Sequence, residues 1–184
     1  MTASNYYLTD SVYYYYDTSG SVIGFSLNDT FYFYGKNIQG DIKYIYDANG
    51  SIITEYCYDA WGKTLSITGS LASAVGEKNP FRYRGYYYDR ETGFYYLNSR
   101  YYDPQVGRFI NADGVMGANG GFLSYNLFSY CSNNPVIFSD HSGFIQRYTI
   151  MSDACFPDDS DEFEEVFEEV TGKPFKPEYD GPFR

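Results

Sequence analysis

Excess positive charge, membrane-length apolar runs and metal-ligand spacings are all missing from this chain. Thirteen Lys and Arg stand against 24 Asp and Glu, a net charge of −11. That excludes a nucleic-acid surface, which needs a basic stripe to meet phosphate. No run approaches the roughly 18 apolar residues of a membrane span. The opening MTASNYYLTDSVYYYYD has neither a basic flank nor an apolar stretch, so it does not read as a secretory leader. The three cysteines, Cys57, Cys131 and Cys155, are far apart, with no CxxC or zinc spacing. They are expected as free or buried thiols, and neither a metal nor a cofactor is expected. A lone histidine, His141, lies between Asp140 and Ser142. Adjacent residues on a strand or turn point apart, so these do not form a triad. Ala and Leu are too sparse for a helical bundle.

What fills the chain is aromatic. Phe, Trp and Tyr make up 22% of the 184 residues, and 24 are tyrosine. Aromatics favour strands, and large rings with hydroxyls that need partners suit a packed β-wall. Residues 6–27 read as two strands around Ser19-Gly20, and Asn28-Asp29 is the next turn. FYFYG and DIKYIYD flank a loop at 36–40. Asn49-Gly50 predicts a type I′ hairpin. In the strand that follows, Ile52, Thr54, Tyr56 and Tyr58 are expected on one face, with Ile53, Glu55 and Cys57 on the other.

A frame recurs: Tyr16-Asp17-Thr18-Ser19-Gly20, Tyr46-Asp47-Ala48-Asn49-Gly50 and Tyr58-Asp59-Ala60-Trp61-Gly62. With one insertion it returns at Tyr88-Asp89 to Gly93 and at Tyr102-Asp103 to Gly107. Each unit predicts a strand ending in Tyr, an Asp bonding its own following backbone, and a Gly at positive φ. Stacked units would bury a continuous wall of rings.

Three segments follow. Residues 1–78 are repeat-like, closing in a loop at 63–78. Residues 79–144 carry a denser block, NPFRYRGYYYDRETGFYYLNSRYYDPQVGRFINADG, then a Gly-rich loop and LSYNLFSYCSNNPVIFSDHSGF. Arg82 and Arg84 are expected opposite Tyr83, strands at 94–97 and 99–102, and a short helix at 123–130. Residues 145–184 differ in kind. They carry 11 acids and 4 bases, or −7, against 13 acids and 9 bases, or −4, in residues 1–144. A further strand is expected at 145–151. Phe163, Val166, Phe167 and Val170 lie at i, i+3, i+4 and i+7, predicting an amphipathic helix stopped by Gly172 and Pro174.

The Tyr-Asp frame, DANGSIITEYCYDAWGK, and above all RYRGYYYDRETGFYYLNSRYYDPQVGRFINAD with YCSNNPVIFSDHSGF, resemble the RHS (YD-repeat) proteins. The block at 79–144 is similar to their RHS repeat-associated core domain. The resemblance implies a mainly β fold: an antiparallel YD-repeat sheet forming part of a hollow shell, an inward-curling core segment, and a variable tip. It implies a structural scaffold function in a polymorphic toxin or cell-surface shell. The partners it implies are the remainder of an RHS shell and a cargo or immunity protein, and the setting is secreted or cell-surface.

Some members of the family cut themselves at the end of the core. Carried over by motif, that chemistry falls on Arg100 (SRYYD) or Arg108 (GRF), Asp113 (INAD) and Asp140 (SDHSG). The bond cut would follow the glycine, near Phe144 and Ile145, releasing 145–184. The paired carboxylates would work as in an aspartyl protease. Gly114 and His141 stand where the family has proline, which favours the plainer role of turn-capping carboxylates. A third reading is a carbohydrate-binding or adhesion module using exposed aromatics, although rings that recur with the repeat suit packing better.

Overall fold

A computed structural model describes residues 10–114 and 125–148. Six strands form an antiparallel meander: β1 (Val12–Tyr16), β2 (Val22–Leu27), β3 (Thr30–Lys36), β4 (Ile42–Asp47), β5 (Ile52–Tyr58) and β6 (Thr64–Thr68). A second sheet has the order β10 (Arg108–Phe109), β9 (Arg100–Asp103), β8 (Phe94–Leu97), β7 (Tyr87–Asp89). A two-stranded ribbon joins β11 (Phe138–Ser139) to β12 (Arg147–Tyr148). The strand expected at 145–151 is thus seen at Arg147–Tyr148. The helix expected at 161–170 and Cys155 lie outside the described residues.

The recurring turn is built as its chemistry dictates. In the second unit the Gly50 N–H donates to the Asp47 carbonyl at 3.0 Å, and the Asp47 N–H to the Ser51 carbonyl at 3.0 Å. Asp47 Oδ1 accepts the N–H groups of Asn49 at 2.8 Å and Ser51 at 2.9 Å. Only Gly50 of the central residues has positive φ, at 82°. This is therefore a three-residue turn closed by a left-handed glycine, not the type I′ turn expected from Asn49-Gly50. The I′ geometry falls instead at Asn28 (φ 50°) and Asp29 (φ 64°), between the paired residues Leu27 and Thr30. A further unit, hidden from the Tyr-Asp pattern, runs from Asn37 to Asp41. There Asn37 Oδ1 accepts the N–H groups of Gln39 and Asp41 at 3.0 and 2.8 Å.

Four other expectations are corrected. Residues 63–78 are not a loop: they form β6 and a single wide helical turn, Ala72–Gly76, which lays Val75 on the core. Ile53 is buried together with Thr54 and Tyr56, because a register shift opposite Ile45 and Tyr46 turns it inward. Arg82 and Arg84 are not on a strand face. They enter a tight 3-10 turn, Tyr83–Gly85, with Arg84 at φ 55°, and both are buried. Arg84 donates to the carbonyls of Gln39 at 2.8 Å and Pro135 at 2.6 Å, and its backbone N–H reaches Asp41. Of the helix expected at 123–130, the described part is helical only at Tyr125; residues 126–130 make turns and one bridge, Arg108 to Ser129.

Two apolar clusters fill the interior. One lies under the six-stranded sheet around Phe25, Tyr34, Ile42, Ile45 and Tyr56, and the other around Tyr83, Tyr86, Tyr95, Tyr102 and Tyr130. Their junction is the β5–β6 turn. Hydroxyls of Tyr83, Tyr102 and Tyr95 donate to the carbonyls of Ala60, Trp61 and Gly62 at 2.9, 2.7 and 2.9 Å. Three rings from the core block thus close on three successive carbonyls of a repeat turn. Asn79 does similar work on the other side, accepting from Tyr34 at 2.5 Å and donating to Tyr56 at 3.2 Å. Each such bond contributes about 1 kcal/mol net, but leaving its partner buried and unpaired costs more.

Candidate functional site

The β8–β9 hairpin turns through Asn98 (φ 61°) and Ser99, and delivers Arg100 to the inner face, where it is 5% exposed. Its guanidinium is fully engaged. Nη2 lies 3.1 Å from Asp113 Oδ2 and 3.6 Å from Asp140 Oδ2. Nη1 donates to the Leu127 carbonyl at 3.1 Å, and Nε to the Gly143 carbonyl. One face lies over the Phe109 ring, 3.5 Å from its centroid. Burial lowers the pKa of Arg100, and the charges of Asp113 and Asp140 oppose that.

The two carboxylates arrive by different routes. Asp113 follows β10, and its N–H donates to the Leu127 carbonyl at 2.8 Å. Asp140 follows β11, and its Oδ1 accepts the Gly143 N–H at 2.8 Å, the Ser142 N–H at 3.2 Å and the Ser142 hydroxyl at 3.1 Å. Asp140 is therefore a turn cap and an ion-pair partner at once. Its own N–H donates to the Tyr86 hydroxyl at 3.1 Å, which lies 3.2 Å from the hydroxyl of Tyr130. Burial drives the pKa of both phenols well above the usual tyrosine range, so they stay neutral.

Of the residues expected from sequence, Arg100, Asp113 and Asp140 are brought together. Arg108 is not: it is exposed on β10, opposite Asp103. His141 is exposed and its Nδ1 lies 3.5 Å from Ser139 Oγ, while Ser142 turns to Asp140, so the three do not line up as a relay. Among the described residues, no cluster of His, Cys, Asp and Glu could hold a metal. Cys57 is exposed and Cys131 buried, both as free thiols. Exposed Tyr87, Tyr96 and Tyr101 face one another across the second sheet, with the rings of Tyr96 and Tyr101 tilted by 45°.

Sequence reasoning missed Asn98, Ser99 and Tyr86. Asn98 Nδ2 donates to the His141 carbonyl at 2.8 Å, and Ser99 Oγ to the Ser142 carbonyl at 2.8 Å. Nothing local in LNSR points to a segment more than forty residues away.

Chemically, the arrangement sets two carboxylates around one guanidinium, beside a carbonyl that the guanidinium polarises. The next residues, Phe144 and Ile145, are 42% and 49% exposed.

A family model described as Teneurin YD-shell matches residues 4–136. The chain is 42% identical over 130 residues to the tRNA3(Ser)-specific nuclease WapA of Bacillus spizizenii, covering 71% of this chain and 5% of that protein. It is 38% identical over 104 residues to double-stranded DNA deaminase toxin A of Burkholderia cenocepacia, covering 56% of this chain and 7% of the toxin. Among solved structures it resembles the TcdB2-TccC3 crystal structure, with TM-score 0.62 and 26% identity over 73% of this chain and 7% of that one. The chain thus spans a small fraction of the length of these relatives, and Asp140 and everything after it lie beyond the family match.

Proposed function

Because this chain belongs to the RHS/YD-repeat shell family, we propose that it serves as a wall segment closing one end of such a shell, with the remainder of the shell as its partner. The observation that carries this is the junction at the β5–β6 turn. Core-block tyrosines bond the turn's three carbonyls, so repeat sheet and core block form one continuous wall. Among the described residues β1 is an edge, with Tyr13, Tyr15 and Tyr16 exposed. An unpaired edge of this kind is a template for another strand. Light scattering on the full chain should show concentration-dependent association that Tyr13→Lys with Tyr15→Lys abolishes. A chain that stays monomeric at all concentrations contradicts the reading. The secreted or cell-surface setting of the family, and a cargo or immunity partner, are carried over to this chain on the same basis.

A second reading is favoured by the grouping of Arg100, Asp113 and Asp140 beside Gly143. In it the chain hydrolyses its own peptide between Phe144 and Ile145. Asp113 takes a proton from water as the hydroxide adds to the Phe144 carbonyl carbon. The Arg100 cation, bound to the Gly143 carbonyl one residue ahead of the bond, supplies the positive field for the charge that develops. The C–N bond breaks, the proton passes to the Ile145 nitrogen, and Phe144 ends in a carboxylate. Asp140, whose Oδ1 is occupied by three hydrogen bonds, holds the turn and the guanidinium in place. Intact mass after overnight incubation tests this. A split after residue 144 that Asp113→Asn and Asp140→Asn both abolish supports it. A single 21.2 kDa species sinks it. The nuclease and deaminase activities named for the relatives are not assigned to this segment.

A further inference from the structure

Three consecutive side chains meet three consecutive carbonyls. Asn98 Nδ2 donates to the carbonyl of His141, Ser99 Oγ to that of Ser142, and Arg100 Nε to that of Gly143. The pairing is in register, 43 residues apart at each step. It reads only backbone, because every residue presents a carbonyl. It also leaves no room at its last position. A Cβ on Gly143 would meet Ser99 Oγ and the Leu97 carbonyl, and Gly143 has φ 72°. On the far side, the Gly143 N–H is taken by Asp140 Oδ1. The segment is therefore gripped through both its acceptors and its donors, while Phe144 and Ile145 are exposed.

We propose that residues 98–100 form a backbone clamp that fixes the chain just ahead of the scissile bond and keeps hold of it after the cut. The clamp itself stands on these contacts, and its consequence for cutting rests on the self-processing reading above. It makes glycine the one residue that fits at position 143. It also means that the new C-terminus stays in the site, so each chain cuts once and does not act on another.

The variants preserve the turn. Glycine readily adopts the positive φ of Asn98, so Asn98→Gly removes the donor without straining the hairpin. Asn98→Asp keeps the shape but offers an acceptor where a donor is needed. Ser99→Ala removes the hydroxyl, and Ser99→Thr restores one. In the full chain, hydrogen exchange at the amides of Ser142 and Gly143 should accelerate on the order of ten- to thirty-fold in Asn98→Gly with Ser99→Ala, the effect of losing two modest hydrogen bonds. Self-cutting should slow by a similar factor, with Asn98→Asp as slow as Asn98→Gly and Ser99→Thr recovering most of the rate. Cut wild-type body should leave an Asp113→Asn chain intact. Unchanged exchange overturns the clamp. Altered exchange with an unchanged cutting rate overturns its positioning role, and cutting of the Asp113→Asn chain overturns retention. If wild type never cuts, the self-processing reading fails by itself, and the clamp is decided by exchange alone.

Discussion

Replacing Tyr95 by Phe tests the joint on which the wall depends. Tyr95 is fully buried, and its hydroxyl donates to the Gly62 carbonyl at 2.9 Å. Its ring packs on Tyr83 at 6.1 Å and Tyr102 at 6.4 Å between centroids. Phenylalanine keeps those ring contacts, so the change isolates the oxygen. Losing the bond removes about 1 kcal/mol net, and a buried carbonyl left without a donor costs about 1–3 kcal/mol. The hydroxyl no longer needs desolvating, which offsets part of that. We expect destabilisation of about 2 kcal/mol, or roughly 4–8 °C in Tm for a chain of this size.

The internal control is the next residue. Tyr96 is 41% exposed, and its hydroxyl reaches the Asn98 carbonyl at the surface. Tyr96→Phe should stay within about 0.5 kcal/mol of wild type. Urea melts of the two variants, compared by midpoint at constant slope, make the measurement. If they shift equally, the hydroxyl-to-carbonyl joints do not hold core block to repeat sheet. Tyr102→Phe adds a further test. Its carbonyl partner, Trp61, precedes Gly62 in one turn, so the double variant should depart from additivity by at least about 0.5 kcal/mol.

Alkali should unfold the protein through its tyrosines. Burial pushes Tyr56 and Tyr83 up to about 12 from an ordinary 10. Their contribution is therefore whole below pH 10 and is lost as pH rises from 10 toward 12. At about 1.4 kcal/mol per pH unit for each group, the two together remove on the order of 5 kcal/mol. Tyrosinate absorbance and circular dichroism should change together, and tyrosinate forming near pH 10 for every ring of a still-folded protein contradicts this. Asp47→Ala, which loses the bonds to Asn49 and Ser51, should cost about 1 kcal/mol in urea melts, while Asp47→Asn, which keeps an acceptor oxygen, costs less than half of that. Gly107→Ala forces a Cβ to φ 72° and within 2.7 Å of the Trp61 indole. A loss of about 2–3 kcal/mol is expected, read as a lower urea midpoint with altered Trp61 fluorescence.

The parts of this fold that could be read from sequence are those whose hydrogen bonds close locally. A Tyr-Asp-x-x-Gly turn carries its own acceptor, its own donors and its own left-handed residue within a few positions, so the recurrence was visible. Asn37 escaped only because an amide does the work of the aspartate. Asn49-Gly50 misled on turn type because the same dipeptide serves a three-residue turn, once Asp47 caps the backbone from outside the pair. Strand β6 does alternate, Leu65 and Ile67 against Thr64, Ser66 and Thr68, but over only five residues at a sheet edge where Leu65 is 59% exposed, too short a pattern to stand out. The candidate site followed a different logic. The resemblance supplied Arg100, Asp113 and Asp140 as types in motifs, but it could not choose between Arg100 and Arg108. Strand alternation does choose: Arg100 shares the inner face of β9 with Tyr102, whereas Arg108 faces out. What no pattern could reveal is the purpose of the buried arginines and of Asn98 and Ser99. Many of their partners are carbonyls, those of Glu77, Asn79, Gln39, Leu127, Pro135, His141, Ser142 and Gly143. A carbonyl belongs to every residue, so a side chain that binds one leaves no complementary mark in the sequence. In a wall held together by hydroxyls, amides and guanidinia bonding to backbone, half of each contact is therefore visible only in three dimensions.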